Sequence, residues 1–103
     1  MDEHQRRVWS QMVDEVNAYQ AGRIDLGSLM WNLKGLLGAS DLHGMRLVLE
    51  FWDHFAEIDM EFELRSEAWA PGGLASDERL REALETFKTW VVQVMANTTK
   101  ERE

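Results

Sequence analysis

The side chains able to do chemistry in this chain are carboxylates, a few hydroxyls and three histidines, and there is no cysteine. The carboxylates are concentrated. Between Glu50 and Glu67 stand seven acids, Glu50, Asp53, Glu57, Asp59, Glu61, Glu63 and Glu67, with one base, Arg65. That stretch carries six of the eight net negative charges. One chemistry open to such a set is a dinuclear metal centre, which takes a Glu from each of two helices and Glu-x-x-His from each of two others. His4, His43 and His54 are the only histidines, and none stands three residues after a Glu. No metal or other cofactor is expected. Serine chemistry fares no better: Ser10, Ser28, Ser40, Ser66 and Ser76 lie outside any nucleophile-elbow context, and Ser40 and Ser76 stand where helix N-caps belong. Without cysteine there is no thiolate nucleophile and no cysteine-based metal site. No glycine-rich phosphate loop is present either. The expectation is a chain with no catalytic residue, and so a non-enzymatic one.

What remains is docking. An excess of negative charge repels a phosphate backbone or an anionic leaflet, so neither nucleic acid nor a membrane is expected as a partner, whereas a basic protein is. At 100° per residue Glu50, Asp53, His54, Glu57 and Glu61 share an arc opposite the aromatic residues of the same segment. They read as a surface row. Exposed helices usually set a base four residues from each acid, but Glu57/Glu61 and Asp59/Glu63/Glu67 set acid against acid, a repulsion that costs local stability. A locally unfavourable choice without structural gain points to function, and a basic partner turns the repulsion into attraction and faster association. Met60 and Leu64 fall beside the acidic arc, and Trp31 lies off the leucine stripe of its own segment; apolar residues so placed have the character of interface anchors. The expected partner-binding set is therefore Glu50, Asp53, Glu57, Asp59, Glu61 and Glu63 with Trp31, Met60 and Leu64. The alternative is a homo-oligomer, self-associating through Trp31, Met60 and Leu64.

The elements that position these residues follow from periodicity and punctuation. With 103 residues and 45% hydrophobic content, the chain is long enough for one core, and a single helical domain over 1–103 is expected. Gly22, the Gly38-Ala39-Ser40 step and Pro71-Gly72-Gly73 divide it into four segments. The first, about Asp2 to Gln20, carries Val8, Met12, Val16 and Tyr19 at helical spacing, with Trp9 and Val13 beside them. The second opens on Asp25 as N-cap, between the staple partners Ile24 and Leu29, buries Leu26, Leu29, Met30, Leu33, Leu36 and Leu37, and stops at Gly38. Ser40 or Asp41 caps the third, which runs to about Trp69 as the longest helix, with Val48, Phe51, Trp52, Phe55, Ile58 and Phe62 inward. Ser76 caps the fourth, whose stripe is Leu80, Leu84, Phe87, Val91, Val94 and Met95, with a frayed tail over about 97–103. Four amphipathic helices with no strand pattern predict an all-α fold, an antiparallel four-helix bundle with one long third helix. No apolar run reaches the roughly 18 residues of a membrane span, and the polar start is not followed by a signal-peptide segment, so the cytoplasm is the expected location.

The hinge Tyr19-Gln20-Ala21-Gly22-Arg23-Ile24-Asp25-Leu26-Gly27-Ser28-Leu29, the following Leu36-Leu37 and the segment Glu50-Phe51-Trp52-Asp53 resemble small bacterial immunity proteins of the colicin D immunity type. The resemblance covers about the first two thirds of the chain and lies in spacing and residue character. It implies a helical bundle that binds and blocks a nuclease toxin by presenting acids to the basic cleft that holds RNA. It also implies that Glu50, Asp53, Glu57, Glu61, Asp59 and Glu63 mimic phosphates.

Overall fold

The computed structural model describes residues 3–40, 45–66 and 76–101, and over these residues the chain is all-α, with four helices and no strand. They are α1 (Glu3–Gln20), α2 (Leu26–Ala39), α3 (Met45–Ser66) and α4 (Asp77–Glu101). Asp41, Glu67, Trp69 and Pro71-Gly72-Gly73 lie outside the described residues.

Local chemistry sets the helix ends. At the end of α1 the Gly22 N–H donates to the Tyr19 carbonyl and the Arg23 N–H to the Ala18 carbonyl, both at 2.9 Å, while Gly22 takes φ +79°. This is the Schellman closure, and its left-handed residue favours glycine. Asp25 caps α2 as expected, its Oδ1 accepting the Ser28 N–H at 2.7 Å. Ser76 likewise caps α4, accepting the Arg79 N–H on its hydroxyl at 3.2 Å, with Asp77 and Glu78 in the first turn where the helix dipole favours acids. Ser40 has a different role from the N-cap expected of it. It closes α2 from the C-terminal side, donating its N–H to the Leu36 carbonyl at 2.9 Å and its hydroxyl to the Leu37 carbonyl at 2.6 Å. α2 accordingly continues through Gly38 to Ala39. α4 continues past Asn97 to Glu101, and over the described residues it is longer than α3, 25 residues against 22.

Contacts group the chain into two compact units, Met1–His43 with Lys88–Glu103, and Gly44–Phe87. In the first, Val8, Trp9, Met12 and Val16 of α1 are buried with Leu26, Leu29, Met30 and Leu33 of α2 and Val91 and Val94 of α4. α2 runs back along α1: Asn32 donates to Glu15 at 3.0 Å, and His4 near the start of α1 meets the Ala39 carbonyl at 2.9 Å. Trp9 is fully buried, edge-on to Trp90 at 5.3 Å between ring centroids. Its Nε1–H finds no acceptor among the described residues, a cost of about 1–3 kcal/mol set against the large area the ring removes from water. Lys88 donates to Asn17 at 3.0 Å and to Gln20 at 2.8 Å.

In the second unit Phe51, Phe55 and Ile58 of α3 are buried with Leu80, Ala83, Leu84 and Phe87 of α4. The Phe51 ring lies 5.8 Å from both Phe55 and Phe87. Toward the other end of α3, Arg65 donates to Asp77 at 2.7 Å, so within this unit each step along α3 meets a step back along α4. Trp52, expected inside, stays 41% exposed. Its ring packs edge-on at 5.3 Å from Phe51 and 5.4 Å from Phe55, flanking the buried stripe without entering it.

Candidate functional site

The acids of α3 do not share one environment. Asp53, Glu57 and Glu63 are exposed, whereas Glu50 and Asp59 are half-buried. Glu50 accepts from Arg46 Nε at 3.3 Å. Glu61, expected on the surface row, is only 4% exposed. Its Oε1 accepts the Ser76 N–H at 2.8 Å and Arg65 Nη1 at 3.3 Å, and its Oε2 accepts Arg79 Nε at 3.3 Å. Arg65 also donates to the Glu61 main-chain carbonyl at 3.0 Å. Buried and already holding three donors, Glu61 stands off the surface row on which it was expected. Its role is to clamp the start of α4 onto α3.

Two bases at helical spacing contradict the expected absence of compensation: Arg65 stands four residues after Glu61 and Arg46 four before Glu50. The Glu57/Glu61 repulsion is offset accordingly, because Glu61 is neutralised by Arg65 and Arg79. His54, expected to be exposed, is half-buried, with its ring 6.5 Å from that of Phe87.

Beside the clamp lies an open groove of about 650 Å³. α3 lines it with Ala56, Glu57, Met60, Glu61 and Leu64, and α4 with Arg79, Glu82, Ala83 and Thr86. Two of the expected anchors meet here. Met60 is 63% exposed at the groove and Leu64 is half-buried in its wall. Trp31 is 75% exposed, on α2 in the other unit. The α4 wall stands outside the expected partner-binding set. The helical spacing of Arg79, Glu82, Ala83 and Thr86 marks one face of α4, but only its packing against α3 shows that this face borders the acidic row.

The groove offers apolar contact, two exposed carboxylates at Glu57 and Glu82, and an arginine already engaged with Glu61. Among the described residues no group of three His, Asp or Glu side chains could hold a metal ion, and no helix is long and apolar enough to cross a membrane. Comparison with protein-family models, with curated proteins and with solved structures returned no match.

Proposed function

We propose that the chain is a non-enzymatic binding protein that docks a basic protein partner on the acidic face of α3. The observation that carries this reading is the juxtaposition on one helix of exposed acids, Asp53, Glu57 and Glu63, with the exposed apolar side chains Trp52 and Met60. Apolar anchors beside a charged rim supply affinity, and the rim supplies steering and specificity. The narrower function proposed is inhibition: the partner is a nuclease-type bacterial toxin domain, and these carboxylates occupy the places of RNA phosphates in its basic cleft. The resemblance to immunity proteins of the colicin D immunity type supports this, and the proposed place of action is the bacterial cytoplasm. The same proposal takes the four helices as one antiparallel bundle with a long third helix, supported by the opposed order of helix contacts within each unit.

Inhibition of RNA cleavage by a panel of basic bacterial ribonuclease domains tests the function. Reversing Asp53 and Glu57 to lysine should slow association by roughly tenfold or more at low salt, with helical circular dichroism unchanged. Association that ignores the reversal would remove the acidic face from the mechanism. The exposure of Trp31 favours a second reading, self-association through apolar surface. Sedimentation that shows a monomer across a wide concentration range would dispose of it.

A further inference from the structure

We propose that the α3/α4 groove is the seat for an amphipathic helix of the partner, with a Lys or Arg side chain set between Glu57 and Glu82 and apolar side chains laid against Met60 and Leu64. The inference rests on the proposed docking of a basic protein and adds where it docks and in what form.

The register of the two helices carries it. Phe51 meets Phe87 and Glu61 meets Arg79, so stepping between these contacts sets Ala56 level with Ala83 and Glu57 level with Glu82. Ala56 and Ala83 both line the groove, and side chains this small let another backbone approach closely. Two glutamates at one level, both lining the groove, put like charges across it, with no ion pair for either among the described residues. The third groove carboxylate, Glu61, is already neutralised by Arg65 and Arg79. The uncompensated charge of the groove is therefore the Glu57 and Glu82 pair, and the chemistry that completes it is one extended cation.

The apolar part fits a helix. From Ala56 to Leu64 is about 12 Å at roughly 1.5 Å per residue, the span of side chains at i, i+3/i+4 and i+7 on an incoming helix. The groove volume, about 650 Å³, accommodates several side chains. Met60 is unbranched and adaptable, suited to packing against apolar residues of varied shape. A second copy of the chain suits the groove less, since it brings its own net charge of −8. Nucleic acid meets the same repulsion.

Fluorescence anisotropy on the full chain tests the proposal with three labelled peptides of about 15 residues, a length at which helix formation is marginal until a surface supports it. The first carries a leucine stripe flanked by lysines, the second the same stripe flanked by glutamates, and the third the composition of the first with its leucines scattered around the helix. The first should bind at least tenfold more tightly than the other two. Ala56→Trp, which fills the groove from an exposed position, and the double variant Glu57→Gln/Glu82→Gln should each weaken it at least tenfold, with helical circular dichroism retained. Asp14→Asn, on the exposed side of α1, should leave it unchanged. If Ala56→Trp and the double variant bind as the native chain does while Asp59→Asn/Glu63→Gln weakens binding, the groove is overturned and the acidic face of α3 stands. If no peptide binds but a basic ribonuclease domain does, and is sensitive to Asp53→Lys/Glu57→Lys, the groove is again overturned and the broader function stands. Failure of both overturns both. Equal binding of the first two peptides overturns the cation, and a concentration-dependent dimer abolished by Ala56→Trp overturns the partner in favour of a second copy.

Discussion

At Glu61 burial pushes the carboxyl's pKa up, but the Ser76 N–H, the Arg65 guanidinium and the positive charges of Arg79 and Arg65 together push it further down, so it settles below its ordinary value of 4.5. Burial acts on Arg65 in the opposite sense and is likewise outweighed, here by Asp77 and Glu61, so its pKa is raised and its charge is held. Because the folded-state pKa of Glu61 lies below the unfolded one, its contribution to stability is complete above the ordinary carboxylate range and is lost as pH falls through the folded value. Replacing Glu61 by alanine leaves the Ser76 N–H and two guanidinium contacts without their acceptor, and should cost about 2–3 kcal/mol at neutral pH. Urea unfolding followed by circular dichroism checks this, and the gap between native and variant chains should narrow as pH falls below about 4. A variant as stable as the native chain at pH 7 would show that α4 is docked by other contacts. Glu57 and Glu61 are the same residue type one helical turn apart, and nothing within α3 alone announces that one faces water while the other is enclosed.

At the scale of the element, the same glycine type has opposite consequences in two places. A Cβ at Gly22 or at Gly35 meets nothing within 4 Å, so crowding decides neither substitution. Gly22 sits at φ +79° in the α1 closure, where alanine is strained, whereas Gly35 lies inside α2. Gly22→Ala should therefore destabilise by about 1 kcal/mol, and Gly35→Ala should stabilise by about 0.5–1 kcal/mol by removing unfolded-state freedom. Thermal unfolding of the pair checks both signs, and two shifts in one direction would contradict the assigned backbone conformations. Helix ends of this kind are legible in sequence where the signal is local, as at Asp25 and Ser76, whose side chains reach N–H groups three residues ahead. Ser40 misleads because a serine serves a C-terminal closure as readily as an N-cap, and which it serves depends on where α2 stops. Trp52 misleads for a related reason: it lies at the edge of the aromatic arc, and helical spacing states the direction of an arc better than its width.

For the whole molecule, a net charge of −8 in 103 residues opposes compaction by self-repulsion. Raising sodium chloride from about 20 mM to about 200 mM shortens the screening length severalfold, so the melting temperature of the free chain should rise while binding of a basic partner weakens. Scanning calorimetry and anisotropy at matched salts check the two effects together, and a melting temperature that falls with salt would mean that the ion pairs around Arg65 outweigh the repulsion. The sequence by itself determined four helices, most of their inward stripes and the gathering of acid on the third, because helix hydrogen bonds and side-chain periodicity are settled within about four residues. Only the tertiary structure decided which acids keep their water. Glu61 is enclosed by Ser76 and Arg79, 15 and 18 residues away, and Glu57 comes to border a groove with Glu82 because α4 packs back along α3. Those groups meet only when two helices dock, and a carboxylate's solvation depends on all the groups around it, including those its own helix does not carry.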